Sequence, residues 1–484
     1  MPQVLNRRYF IKLTAIAAAA AWVGVRPLRA GGASDTLRIG VAGLRSKGWD
    51  HVNQLLAMPD ARIVALCDVD STILAARMAS LAKIGIKAAA HADFRRMLDM
   101  NDLDAVVIAT PNHQHTLQTI WACQAGKDVY VEKPVCHNLF EGVQIARAAE
   151  KYGRVVQAGT QKRSDQGHID GFAFIKQGGL GKIRLVRGLC YKLRPPIGHV
   201  SSPQAIPAGV DYNLWCGPAP MAPLMRKNLH YDWHWDWATG NGDIGNQGPH
   251  ELDLARWVLG ESGLPRRVVS VGARLGEPDD GQTPNTQLVL YDYATAPILF
   301  EVRGLPMSPR ENEVDAYKQL RVGIVVECEN GSFVAGDSGG WIQDLQGQKV
   351  RRFTGDGGGL HMRNFINAVR TRRPQDLNAP VREAGISSNL AHMANLSHRV
   401  GAATAPEAIR EKLSAHPAAL EALGRIQTHL DKNKIDLGKT PLTLGSWLEW
   451  SDAQQRFTDG EGVDRANQLL TRDYREGFVV PTVM

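Results

Sequence analysis

The 484-residue sequence contains no CxxC pair and no recognisable metal-ligand spacing. Beyond its N-terminal leader it has no apolar run long enough to cross a bilayer. The six cysteines (Cys67, Cys123, Cys136, Cys190, Cys216 and Cys328) are widely scattered, which excludes a zinc ribbon or a dithiol redox centre. Several lie inside apolar runs such as "VALCDV" and "VRGLCYK", where a thiol behaves as a small buried hydrophobe. Acid is absent from residues 1–33, which carry Arg7, Arg8, Lys12, Arg26 and Arg29. Without those five cations the formal charge of +7 becomes +2, too little for a nucleic-acid-binding surface. The basic balance belongs to the leader.

That leader has a charged start, "NRRYFIK" (6–12), an apolar core, "LTAIAAAAAWVGV" (13–25), and the small residues of "RAGGAS". This is the pattern of a secretory signal, too short for a spanning helix. Arg7–Arg8 followed by Tyr9, Phe10 and Lys12 resembles the twin-arginine signal, which exports proteins already folded. The expectation is a signal over 1–33, cleaved after Ala30 or Ala33, and a periplasmic or other extracytoplasmic location. Folding in the reducing cytoplasm before export would also account for unpaired cysteines.

From residue 34 to about 160, short apolar strands alternate with amphipathic helical stretches: "LRIGVAGL", "ARIVALCDVD", "LDAVVIATP", "DVYVEKP" and "RVVQAGT". This is the rhythm of an α/β Rossmann domain with a doubly wound parallel sheet. Residues 161–404 read as an α+β substrate domain. Longer β-rich runs there suggest a large, open, mainly antiparallel sheet, one face covered by helices near 166–177, 249–259 and 360–372. Residues 405–484 form a polar, partly helical extension, expected to wrap the other domains or a neighbouring subunit. A homo-oligomer is expected.

Between the first strand and helix lies "GVAGLRSKGW", with Gly43 and Gly48 spaced as the outer residues of G-x-G-x-x-G and Arg45 in the middle position. Such a turn offers backbone N–H groups and a helix N-terminus to a pyrophosphate; Arg45, Ser46 or Lys47 can add side chains. Asp68 ends the second strand in "ALCDVD", where an acid suits the ribose hydroxyls of NAD and repels the 2′-phosphate of NADP. NAD is the expected cofactor, and no metal is expected.

"ATPNHQH" (109–115) ends the fourth strand and "VEKPV" (131–135) the fifth, both at the carboxyl edge. With the β-rich second half they resemble the Gfo/Idh/MocA family of sugar and inositol oxidoreductases. "DYNLWCGPAP" and "LNAPVREAGISSNLAHMANLSHRVG" look like its exported bacterial branch. The resemblance implies that Lys133 of "EKP" reaches the active site, ahead of a proline that is often cis. It places Thr110, Pro111, Asn112, His115 and Glu132 on the cofactor side. A lysine in a partly dry pocket loses its proton readily, which suits exchange with a substrate hydroxyl.

The family's Asp-x-x-x-His pair falls in "GNGDIGNQGPHELDLARW" (240–257), where His250 matches but Asn246 replaces the aspartate. An amide takes up no proton at neutral pH, so Asn246 reads as a substrate ligand. Proton relay then falls to His250, Lys133 or another carboxylate, with Asp243 the candidate. Asn246, His250 and Asp253 share one face of a continuous helix, and Asp253–Arg256 reads as an exposed i, i+3 pair.

Upstream, in "HYDWHWDWATG", Trp233, Trp235 and Trp237 alternate with polar residues, so an extended segment would present the tryptophans together as a sugar platform. Gln161 and Arg163 of "GTQKRS" are expected to join the pocket. The function expected is hydride transfer between a sugar or glycoside ring carbon and tightly held NAD. Its rivals are a redox-neutral glycosidase or lyase cycle and a non-catalytic sugar-binding protein. No nucleic acid and no membrane beyond export are expected as partners.

Overall fold

The computed structural model describes residues 36–484, so the expected signal at 1–33 lies outside the described residues. Six short strands form a wholly parallel sheet: β1 (Leu37–Ala42), β2 (Ala61–Cys67), β3 (Ala89–His91), β4 (Ala105–Ile108), β5 (Asp128–Val131) and β6 (Val156–Ala158). Their order is β3-β2-β1-β4-β5-β6. The chain therefore reverses direction of travel between β1 and β4, which opens a crevice at the carboxyl ends of those strands. Central strands such as Ala105–Ile108 are buried on both faces, which is why they read as continuous apolar runs. Three of the connecting helices have side-chain caps, the short Phe94–Leu98 through Asp93 accepting from Arg95 N. Asp70 accepts from the amides of Thr72 and Ile73 before Ser71–Lys83, and Asn138 accepts from Glu141 N before Leu139–Lys151.

A twelve-stranded sheet follows, built from β7 (Ile183–Tyr191), β8 (Arg267–Ala273), β9 (Thr286–Asp292), β10 (Ile298–Arg303), β11 (Val322–Cys328), β12 (Gly331–Ala335), β13 (Gly339–Gln343), β14 (Lys349–Thr354), β15 (Ala402–Thr404), β16 (Leu442–Leu444), β17 (Leu448–Ser451) and β18 (Arg456–Asp459). Its path is β14-β13-β12-β11-β7-β10-β9-β8-β16-β15, with β17–β18 attached at β8. The pairs are antiparallel except β7–β10, which is parallel because the long excursion between β7 and β8 returns the chain for the β8–β9–β10 meander.

Helices Gln166–Lys176, Gly248–Leu259 and Val381–Arg399 pack on one face of this sheet through Phe172, Leu252, Leu254, Val258 and Leu390. Helix His361–Thr371, expected to join them, instead packs Met362, Phe365, Ile366 and Val369 onto the parallel sheet with Ile39, Val41 and Leu66. The opposite face of the large sheet is covered by residues beyond 405. Helices Pro406–Lys412 and Pro417–Lys432 bring Ile409, Leu423, Ile426 and Leu430 against Val269, Leu288 and Leu299. The last residues turn back to the parallel sheet, where Phe478, Val480 and Val483 join Ile120 and Ile145. All six cysteines are buried and unpaired. No described helix is long and apolar enough to cross a membrane.

Candidate active site

A cleft of about 540 Å³ runs along the carboxyl ends of β1, β2 and β4. Its floor begins at Gly43, whose φ of +80° and closeness to Ala109 leave no room for a side chain: a Cβ there would stand 2.5 Å from Ala109 O. Gly48 serves the same turn from behind, since a Cβ on it would meet Gly43 O at 1.6 Å. It does not line the cleft, which corrects its expected role as a cofactor contact. The helix Ser46–Leu56 starts at this turn with no side-chain cap and no acid in its first turn, so its first N–H groups remain for an anion. Leu44, Arg45, Ser46 and Lys47 all border the cleft.

Asp68 sits at the β2 end, where its two carboxylate oxygens accept Leu44 N at 2.8 Å and Asp70 N at 3.0 Å. Each oxygen keeps a lone pair for a ribose hydroxyl. Burial raises the Asp68 carboxyl above its ordinary range. Arg45 reaches Asp70 at 3.4 Å, as does His230 at 3.1 Å.

The β4–β5 end is more tightly organised. His115 stands between two carbonyls, Pro134 O and Thr110 O, each 2.7 Å away, and so pins the "TPN" turn to the "EKP" turn. Glu132 accepts from His51 at 2.8 Å. Burial alone would raise its carboxyl, but His51, Lys47 and Lys133 outweigh that and hold it below the usual range. The Lys133–Pro134 peptide is cis. Lys133 Nζ donates to Asn246 O at 2.5 Å, and burial lowers its pKa against the raising influence of Glu132 and Glu251. His250 borders the same space with Nδ1 unpartnered. Burial and the charges of Lys133 and Lys162 keep its ring neutral, well below its ordinary pKa. His234, stacked on Trp233 with ring centroids 3.7 Å apart, is lowered to about 4, chiefly by burial.

Several expected positions lie elsewhere. The 240–257 helix is broken at Gln247 into Gly242–Asn246 and Gly248–Leu259, so Asn246 and His250 reach the cleft while Asp253 does not. Asp253 is buried and held by Arg163 at 2.6 and 2.9 Å, which keeps Arg163 out of the pocket where it was expected. Arg256 is buried as well and pairs with Glu383 at 2.6 Å, so no exposed Asp253–Arg256 pair exists. The short turn Gln161–Ser164 lays Lys162 and Arg163 on Glu251 and Asp253 of the neighbouring helix, leaving only Gln161 at the cleft.

Asp243 is buried with one carboxylate oxygen paired to Arg194 at 2.7 Å, and it does not border the cleft where it was expected as a relay. The tryptophans do not alternate, because Asp232–Trp235 is a 3₁₀ turn. Only Trp233 borders the cleft. Trp235 is buried beside Tyr231, and Trp237 lies under Arg399.

Other cleft residues escaped the sequence reading: Gln114, Gln118, Trp121, Trp215, Tyr231 and Phe478. Gln114 lies within the "TPNHQH" motif and Gln118 stands four residues further on, a usable signal; Phe478 has none. Trp215 and Tyr231 belong to the excursion between β7 and β8, which roofs the cleft. The roof is tied on one flank by Asp211 N to Val69 O at 2.9 Å and Ser71 N to Gly209 O at 3.0 Å. On the other flank His113 and Gln114 both donate to Trp215 O, at 3.0 and 2.8 Å. No cluster of metal-ligating side chains occurs among the described residues.

A glycine turn at an uncapped helix N-terminus, an acid at the end of β2 and a crevice where strand order reverses define a dinucleotide-binding site. Residues 37–160 match the oxidoreductase family with an NAD-binding Rossmann fold, and residues 182–300 match its C-terminal alpha/beta domain. Together the matches span half of the chain, which belongs to the Gfo/Idh/MocA oxidoreductase family, and its cofactor is NAD.

Inositol 2-dehydrogenase of Salmonella typhimurium is 29% identical over 35% of this chain and 50% of its own length. Inositol 2-dehydrogenase 1 of Saccharopolyspora erythraea is 34% identical over 31% and 44%. The chain thus spans about half the length of these curated relatives. The WlbA dehydrogenase of Bordetella pertussis, solved with NADH and UDP-GlcNAcA, shares the fold with a TM-score of 0.56 at 21% identity, over 75% of this chain and 97% of that one.

Proposed function

We propose that this protein is an exported enzyme that oxidises a secondary alcohol on the ring of a sugar, polyol or glycoside. The reading is carried by one observation: Lys133, His250 and Asn246 converge at one end of the cleft whose other end holds Gly43 and Asp68. Bound NAD supplies a nicotinamide carbon that accepts hydride. The chain's own residues do the rest. Asn246 offers its amide to a substrate hydroxyl. Lys133, made easier to deprotonate by burial, and His250, kept neutral with Nδ1 free, supply the base that takes the hydroxyl proton as hydride leaves. Trp233 and His234 present a stacked aromatic face to the apolar C–H side of a ring.

The roof favours a particular version of this chemistry. An exported enzyme that carried its dinucleotide out beneath residues tied to both flanks would find no evident NAD pool to exchange with, and a net oxidation would leave it reduced after one turnover. A closed redox cycle avoids this. The hydride returns to a second substrate, or to the same one after the new carbonyl has acidified a neighbouring C–H and a leaving group has been eliminated. Purified protein should then carry NAD and turn over candidate glycosides repeatedly with none added. Stoichiometric consumption of added NAD by protein that retains none would establish an ordinary dehydrogenase instead.

Export rests on the leader and on six free thiols, which suit folding before translocation. Replacing Arg7 and Arg8 with lysine should leave precursor in the cytoplasm; unchanged export in fractionated cells would point to the general secretory route.

A further inference from the structure

We propose that the C-terminal segment 470–484 is a working part of the cofactor site, supplying Phe478 as a wall for the adenine and strapping the roof to the parallel sheet. The proposal rests on the reading of the cleft as a dinucleotide site. The base end is fixed by topology: Asp68 marks the ribose, and Ala92, Asp93, Phe94 and Trp121 border the space beyond it, remote in the sheet from Lys133 after β5. Phe478 borders that same space. Its ring contacts Trp121 at 6.2 Å between centroids and is approached by two guanidinium groups, Arg95 at 5.2 Å and Arg475 at 5.1 Å. Arg95 is itself held by Asp93 at 2.7 Å. Two aromatic rings, tilted 52° to each other and backed by cations, make an apolar wall of the kind the edge or face of a purine packs against.

The segment is fastened at both ends. Phe140 N donates to Leu470 O at 3.0 Å, Tyr474 OH to Glu141 Oε1 at 3.0 Å, and Val483 N to Gln144 Oε1 at 2.7 Å, all on the helix behind β5. Two arginines then reach across to the roof. Arg472 donates to Ala238 O at 2.7 Å and to His137, while Arg475 donates to Asn213 O and Gly217 O, both at 3.1 Å. Those roof residues flank the stretch that carries Trp215, Tyr231 and Trp233 over the cleft. Opening the roof therefore breaks the strap's bonds, and the strap slows cofactor exit as well as contacting the base.

The test uses full-length protein and two variants, Phe478→Ala and Arg475→Ala, each checked for wild-type circular dichroism. Binding of NAD, AMP and nicotinamide mononucleotide to nucleotide-stripped protein is measured by calorimetry, and release of preloaded NADH is followed by fluorescence during a chase with NAD. Phe478→Ala should weaken NAD and AMP at least ~10-fold while leaving nicotinamide mononucleotide unchanged, because only the base end loses a wall. Restoration by Phe478→Trp marks a stacking role rather than a merely structural one. Arg475→Ala should speed NADH release ~10-fold with a smaller effect on AMP. A folded Phe478→Ala protein that binds NAD and AMP within twofold of wild type overturns the proposal and leaves the dinucleotide reading intact. Wild-type protein that binds no NAD overturns both.

Discussion

The two ends of the cleft are built by different means. At the nicotinamide end, two strand-end motifs lock directly onto each other, His115 pinning the 110–115 turn to the 132–134 turn, and the second domain adds Asn246, whose carbonyl accepts from Lys133. Side chains there are buried and shifted by their burial. At the adenine end, Asp68 is joined by Trp121 from the helix after β4 and by Phe478 from the last residues of the chain. The first end is a fixed reaction site; the second is assembled by strapping. Chemistry should therefore be lost by single substitutions at one end, and retention of the cofactor by substitutions at the other.

The sharpest way to break that contrast is Lys133→Met. It should reduce kcat at least ~100-fold while the purified protein still carries NAD, since the side chain holds and moves protons and does not touch the adenosine half. A variant within threefold of wild type would remove Lys133 from the chemistry. At the other end, Asp68 should make NAD bind at least ~10-fold tighter than NADP, because the 2′-phosphate would stand against a carboxylate. Asp68→Asn should narrow the difference without changing kcat at saturating NAD. Tighter NADP binding to wild type would mean that Arg45 or Lys47 governs the ribose.

Acid should unfold the molecule, and the histidines say over which range. His113 is lowered to about 3, and His234, His361 and His392 to about 4, each chiefly by burial. In the unfolded chain each takes up a proton near pH 6.5. Between pH 6.5 and 4 the unfolded state therefore binds protons that the folded state refuses, and stability falls as pH falls. The Tm should be flat above pH 7 and drop steadily from pH 6.5 to 4. An unchanged Tm across that interval would mean that these rings are protonated in the fold.

Asp243→Asn should have the smallest effect on the reaction, under ~threefold in kcat. Its carboxylate pairs with Arg194 and does not border the cleft. A loss approaching that of Lys133→Met would return Asp243 to the relay.

Much of this was legible in the sequence because it depends on neighbours. The glycine turn, the acid ending β2 and the strand-end motifs each use residues a few positions apart, so spacing alone brings them together. Reading failed where a side chain's partner is distant. Arg163 looked like a pocket residue and Asp253 like half of an exposed pair with Arg256, yet they are 90 positions apart in sequence and close on each other. The tryptophan alternation was real in sequence but misleading, since it presumed an extended chain where Asp232–Trp235 forms a 3₁₀ turn. The helix through Asn246 was read as continuous, although Gly248–Pro249 marks the start of a second helix there.

The sequence by itself determined the parallel sheet and its dinucleotide turn, because apolar periodicity and short-range geometry suffice to fold and place them; Lys133 and His250 were marked by the family resemblance, and only the fold brings them together. Only the tertiary structure decided which acids are free and which are spent on arginines, since a buried charge takes whatever partner the packing brings within reach. It also decided that the far C-terminus closes the cofactor cleft. Phe478 lies 357 positions beyond Trp121, and only the apolar seat offered by Ile120 and Ile145 and the carbonyls offered by the roof draw it there.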